Sequence, residues 1–276
     1  MPFVRIAGYL EAMQLNAPRI IEADLDRGFL LLSDLGNEQY LEKLEKFPDQ
    51  AASLYSDAID SMLVIQRLGT AYQSMLPPYN EDVLRFEMSL FRDWLCGTYL
   101  QLEFSKADEV NWQACCDILV ENALRQPQVF VHRDYHSRNL MVTKDGNPGI
   151  LDFQDALEGP FTYDLVSLLK DCYIRWPAAD VWQWALRYYR ELDAATREQV
   201  DELQFRRYFE LMGIQRHLKA AGIFCRLKQR DGKSNYMADV PRTLNYIVEL
   251  GPDYEELGFL MRLIEERVLP VWSGDA

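Results

Sequence analysis

Apolar residues recur at helical spacing from the first turn of the chain, and Phe3, Ile6, Ala7, Leu10 and Met13 predict a helix over 3–14. Pro18 ends that pattern. Two short apolar runs follow, Arg19 to Ala23 and Phe29 to Leu32, with Asp26-Arg27-Gly28 between them as a turn, so a hairpin is expected. Ser33-Asp34-Leu35-Gly36 closes it. Beyond Gly36 the spacing is helical over 50–75, 81–103, 110–125, 162–175, 179–192, 197–221 and 253–268. Strand patterns return only at Gln128 to Val131, Leu140 to Thr143 and Gly149 to Leu151. Pro77-Pro78 and the stretch 230–238 read as loops. The fold class expected is α+β, with a small strand-bearing N-terminal piece and a large helical body holding an embedded hairpin.

Composition narrows the classes. The chain has 276 residues, of which 49% are hydrophobic and 26% charged, so it can bury a full core without disulfide or metal staples. Lys and Arg number 29 against 43 Asp and Glu, a net charge of −14 that repels polyanions and argues against a nucleic-acid partner. The five cysteines contain no CxxC pair, which points to reduced thiols. No early apolar run is long enough to span a bilayer and no signal-peptide layout is present, so a cytoplasmic location without membrane partners is expected.

The chemistry concentrates in residues 128–155, QVFVHRDYHSRNLMVTKDGNPGILDFQD. A strand runs into His132-Arg133-Asp134, Asn139 follows, and a hairpin turning at Asp145-Gly146 delivers Asp152. A hairpin brings its open ends together, so the Asn139 amide and the Asp152 carboxylate become neighbours, with Asp134 close by. That set suits phosphoryl transfer. Hard oxygen ligands hold a metal ion against phosphates, and a carboxylate accepts the proton of a hydroxyl nucleophile. The spacing matches the kinase loop H-R-D-x-x-x-x-N followed by a metal-binding Asp. The plain alternative is an ordinary hairpin with solvated polar ends.

HRDYHSRN and ILDFQD resemble the aminoglycoside phosphotransferase-like branch of the protein-kinase-like fold. The stretches 19–36, 159–177 and 215–233 resemble, within it, the anomeric N-acetylmuramate/N-acetylglucosamine kinases of bacterial cell-wall recycling. This resemblance implies that Asp134 is the catalytic base and that Asn139 and Asp152 hold Mg2+ against ATP. It implies that His132 and Asp164 support the loop, and that Ser33, Asp34 and Leu35 form the hinge that meets adenine. The implied reaction turns ATP and an amino sugar into the sugar 1-phosphate and ADP. Domains are then expected at 1–36, the remnant of a nucleotide-binding lobe with its hinge, and 37–276, the helical catalytic and substrate-binding lobe.

No lysine precedes Lys43 and no GxGxxG or Walker A pattern occurs, so the expectation is a truncated N-terminal lobe in a sequence that starts late. Gln154 stands where protein kinases carry Gly after Asp-Phe. Arg138, Asp155, Arg216 and His217 are further candidates for substrate contact. Two other readings stay open: another small-molecule phosphotransferase of this branch, acting on an aminoglycoside or amino alcohol, and an inactive truncated or pseudokinase binding module.

Overall fold

Pro2 occupies the first helical position, where its missing N–H is no loss, and helix α1 (Pro2–Ala12) buries Ile6, Ala7 and Leu10. The structure is a computed structural model that describes residues 1–272. Strands β1 (Ile20–Asp24) and β2 (Phe29–Leu32) pair antiparallel with Asp24 opposite Phe29. Gly28 takes the left-handed conformation their turn requires, at φ 76°. Helices α2 (Tyr40–Lys46) and α3 (Ala51–Gly69) follow. Helix α4 (Glu81–Leu90) starts where the Asn80 side chain accepts from the Val83 amide, and it continues as a π-helix from Phe91 to Tyr99. A reciprocal box between Ser105 and Asp108 opens α5 (Lys106–Leu124). Strands β3 (Gln128–Val131), β4 (Leu140–Met141), β5 (Gly149–Ile150) and β6 (Leu157–Pro160) come next. The rest is helical: α6 (Tyr163–Leu169), α7 (Ala178–Glu191), α8 (Ala194–Gln199), α9 (Glu202–Asp231), α10 (Val240–Val248) and α11 (Gly258–Arg262).

The chain forms two compact units, one of residues 1–78 and 127–205, the other of residues 79–126 and from 206 onward. In the first, β4 and β5 make a hairpin and β3 pairs antiparallel with β6. The hairpin and the loop that leads into it are held by backbone from three directions. The Val142 amide donates to Glu38 at 2.8 Å, Ile150 to Asn16 at 2.7 Å, and Leu41 to Ser137 at 3.0 Å. Asn147, in its turn, donates to the Tyr40 hydroxyl and to Asp57, both at 2.7 Å. Gly149 is required by contact. A Cβ there would lie 3.0 Å from Leu35 Cδ1 and 3.2 Å from Met141 Cβ.

In the second unit a buried polar group is built around Glu87. It faces Lys219 Nζ at 3.0 Å, accepts from the Tyr79 hydroxyl, and accepts from Gln215 at 3.2 Å. Pairing is what allows a carboxylate to be buried at 2% exposure. Gly222 lets α9 cross the α4 backbone, because a Cβ would come within 2.3 Å of the Leu90 carbonyl carbon.

The N-terminal helix, the first hairpin and strands 128–131, 140–143 and 149–151 stand where the pattern put them, within a few residues. Other elements differ. The helical stretch 50–75 stops at Gly69. The stretch 197–221 divides at Val200, and Asp201 accepts from Gln204 N to start a helix that runs on to Asp231. Helices α2 and α10 and strand β6 are additions. Leu157–Pro160 carries Gly and Pro, which hide a strand from propensity. The five cysteines are free and buried, and no helix among the described residues is long and apolar enough to cross a membrane.

Candidate active site

Strand β3 ends at Val131 and the chain reverses at Arg133, where φ is 82°. The reversal turns two consecutive amides onto one carboxylate. Asp164, fully buried on α6, accepts from His132 N at 2.6 Å and from Arg133 N at 2.9 Å. Asp134 follows immediately, and its own amide donates to His132 Nδ1 at 3.3 Å. That bond leaves Nε2 to carry the imidazole proton. Burial holds the His132 pKa down to about 4, so the ring is neutral at pH 7 and braces the loop as a hydrogen-bonding wedge.

The second half of the loop is a turn closed by Asn139 N donating to His136 O at 2.9 Å, with Ser137 and Arg138 at its centre. Asn139 then spans the site. Its Nδ2 donates to the Asp134 carbonyl at 2.9 Å and to Asp152 Oδ2 at 3.3 Å. Asp152 sits at the end of the hairpin with φ 59°, a left-handed conformation that non-glycine residues adopt at some cost. Gln154 Nε2 donates to its other oxygen at 2.5 Å. Phe153 is fully buried, with its ring 4.8 Å from that of Phe3 on α1. The open ends of the hairpin thus gather Asp134, Asn139 and Asp152, as the spacing predicts.

The Asn139 carboxamide oxygen and the Asp152 carboxylate are hard donors, a set suited to a divalent cation that completes its shell with phosphate oxygens and water. No cluster of three His, Cys, Asp or Glu side chains able to hold a metal occurs among the described residues. A two-residue protein set is what an ion shared with a nucleotide needs.

Ser33, Asp34 and Leu35 line a cleft of about 830 Å³, whose other walls include residues 14–17, Arg19 and the hairpin turn 142–146. Ser33 Oγ accepts from Arg19 N and Asp34 Oδ1 from Gly36 N, both at 2.9 Å, which fixes the segment. Asp134, Asn139 and Asp152 do not line this cleft, which opens at the turn end of the hairpin. Asp155 is exposed, three residues beyond Asp152. Arg216 and His217 lie on α9 in the second unit. Both are buried, and His217 stacks on Tyr246 at 4.7 Å.

Sequence reasoning missed a buried carboxylate beside the loop. Asp171 accepts from Ser137 N at 3.0 Å, Ser137 Oγ at 2.5 Å and Tyr173 N at 2.9 Å. Its signal was an acid set among Leu168, Leu169 and Cys172, where a charge demands partners.

A model of the phosphotransferase enzyme family matches residues 1–209. The N-acetylmuramate/N-acetylglucosamine kinase of Pseudomonas aeruginosa is 45% identical over 264 residues, 94% of this chain and 77% of that protein. The protein of the same name in Neisseria meningitidis is 41% identical, over 95% of this chain and 80% of its own length. Among solved structures, a choline/ethanolamine kinase family protein from Mesorhizobium loti shares the fold with a TM-score of 0.63 at 13% identity, covering 92% of this chain and 80% of that one. The protein is therefore an α+β chain of the protein-kinase-like fold that belongs to the phosphotransferase enzyme family, grouping with relatives named as N-acetylmuramate/N-acetylglucosamine kinases.

Proposed function

We propose that this chain transfers the γ-phosphoryl group of ATP to the anomeric hydroxyl of N-acetylmuramate and N-acetylglucosamine, giving the sugar 1-phosphate. The observation that carries this reading is the Asn139 side chain joining the Asp134 backbone to the Asp152 carboxylate, beside a loop clamped by Asp164. The relatives' names supply the acceptor. Phosphoryl transfer asks a protein mainly for positioning and charge neutralisation. Asp134 orients the acceptor hydroxyl and takes its proton as the bond to phosphorus forms. Asn139 and Asp152 would hold magnesium, which when bound neutralises charge on the phosphate oxygens. His132 takes no proton at neutral pH, so its part is to fix the Asp134 amide. Ser33, Asp34 and Leu35 form the hinge that meets the adenine through backbone groups, residues 1–36 serve the nucleotide and 37–276 serve catalysis and the sugar.

The test is ADP release with magnesium-ATP and N-acetylmuramate, N-acetylglucosamine or kanamycin, with Asp134→Asn as control. Release with both amino sugars, lost in the control, is the expected result. Release with kanamycin alone overturns the acceptor, and release that survives in the control overturns Asp134 as base.

A further inference from the structure

A left-handed backbone persists at a non-glycine residue only where the surroundings over-determine it. Asp152 adopts that conformation, at φ 59°, beyond the end of a hairpin whose ladder is two pairs long, Leu140 with Ile150 and Met141 with Gly149. A ladder that short does not fix its own register. Ties from outside the hairpin therefore decide where the Asp152 carboxylate stands relative to Asn139.

The loop after α1 provides such ties at Asn16. Gln14 turns left-handed at φ 60° and Leu15 N donates to Leu10 O at 3.0 Å, so the chain leaves the helix sharply. Asn16 then meets the hairpin with both of its polar groups. Its backbone carbonyl accepts from Ile150 N at 2.7 Å, two residues before Asp152. Its Nδ2 donates to Thr143 Oγ1 at 3.2 Å and to the Asp145 carbonyl at 3.3 Å, at the turn. Packing adds to the bonds, because a Cβ at Gly146 would lie 3.4 Å from Asn16 Cβ. On the other side of Asp152, Phe153 meets Phe3 near the start of α1, with ring centroids 4.8 Å apart. The helix and its loop thus bracket the left-handed residue. A slip of β5 against β4 cannot keep all three Asn16 bonds, since one residue holds β5 and the turn together.

We propose that Asn16 is a positioning residue for the metal-holding carboxylate: by bonding β5 to the hairpin turn it sets the reach of Asp152 toward an ion shared with Asn139. The inference rests on the reading of Asn139 and Asp152 as metal holders and deepens it. It does not depend on which acceptor the enzyme takes. Asn16 acts through the hairpin and not on the ion.

The experiment measures Mn2+ binding in the presence of ADP by electron paramagnetic resonance, ADP binding without metal by calorimetry, and unfolding in urea. Mn2+ stands in for Mg2+ because both take hard oxygen donors in octahedral geometry. The proteins are the parent, Asn16→Ala, Asn16→Asp, Thr143→Val and Asp152→Asn. Asn16→Asp keeps the side chain's size but cannot donate, and Thr143→Val removes one acceptor at constant shape. Asp152→Asn keeps a residue that tolerates the left-handed conformation and removes the charge. In Asn16→Ala and Asn16→Asp the Mn2+ dissociation constant rises by about tenfold, the scale on which groups that orient a metal's ligands act. ADP affinity without metal stays as in the parent. Thr143→Val shows a smaller rise, since the Asp145 carbonyl still accepts. A residue that only supports the fold lowers the urea midpoint and leaves the Mn2+ dissociation constant of the folded protein unchanged. If Asn16→Ala does not fold, Asn16→Asp and Thr143→Val decide. Unchanged Mn2+ binding in the folded Asn16 and Thr143 variants, with binding lost in Asp152→Asn, overturns this inference alone. A parent that binds no Mn2+ with ADP, or an Asp152→Asn that binds it as the parent does, overturns the metal reading and this inference with it.

Discussion

The two small hairpins of the first unit differ in a way their lengths do not anticipate. The N-terminal pair β1–β2 has five and four residues, yet leaves Phe29 65% and Leu31 56% exposed. The pair β4–β5 has two residues per strand, and all four are buried. Length does not order a hairpin; what encloses it does. β4–β5 is gripped by the backbone of Asn16 and Glu38 and by the Asn147 side chain, the loop before it by Leu41, and it carries the candidate chemistry at its ends. β1–β2 is closed by its own turn, where Asp24 accepts from Arg27 N.

The largest effect expected is at the enclosed hairpin. Asp134→Asn lowers kcat by about 10³-fold, equivalent to about 4 kcal/mol of barrier, with the melting temperature held. A variant with parental turnover would sink the comparison's premise that the buried hairpin delivers chemistry. Asp164→Ala comes next. It strands the His132 and Arg133 amides beside a buried carboxylate's former place, and costs about 3 kcal/mol or more of stability. Urea unfolding measures that loss, and a change below about 1 kcal/mol contradicts the clamp.

His132 adds a pH dependence of similar size. The unfolded imidazole takes up its proton near the ordinary value of 6.5, the folded one only near 4. Between those values the unfolded chain binds more protons, so stability falls as pH is lowered through that window and this part is constant above it. The gap is worth about 3 kcal/mol. In His132→Gln the unfolding midpoint is expected to lose that part of its slope between pH 6.5 and 4. A slope identical to the parent's means the imidazole titrates normally in the fold.

The β4–β5 hairpin was legible because its signals are local. Asp-Gly fixes the turn, and the spacing of Asp134, Asn139 and Asp152 follows from two short strands of equal length. Asp164 was legible only through resemblance, and Asp171 only as an acid among apolar neighbours, with no sign of what it holds. Both work across more than thirty residues of sequence, on amides that any residue type supplies. The break at Val200 was missed because an apolar residue fits a helical pattern whatever its backbone does. Helices α2 and α10 are one to three turns long, too short for periodicity to separate from chance.

Two glycines sharpen the contrast further. Gly149→Ala pushes a methyl against Leu35 and Met141, and costs about 2 kcal/mol by overpacking. Gly28→Ala meets nothing within 4 Å but must hold φ 76°, which costs about 1 kcal/mol. Asparagine tolerates that conformation, so Gly28→Asn recovers most of the loss while Gly149→Asn deepens it. Equal responses of the two sites to Ala and Asn mean that enclosure is not the difference between them.

The smallest effect is the most direct probe of the open hairpin. Phe29 and Leu31 project from alternate positions of β2 on one face, opposite Asp24 and Glu22. Removing apolar area that is already in water forfeits little transfer free energy, so Phe29→Ser and Leu31→Thr each change stability by less than about 0.5 kcal/mol. The same change at Ile150, which is fully buried in β5, removes a side chain from a packed site. Ile150→Thr therefore costs about 2 kcal/mol or more, because it adds a hydroxyl in need of a partner and leaves a void. Comparable losses at Phe29 and Ile150 in urea unfolding show that the β2 face is covered in solution, and the contrast between the two hairpins then fails.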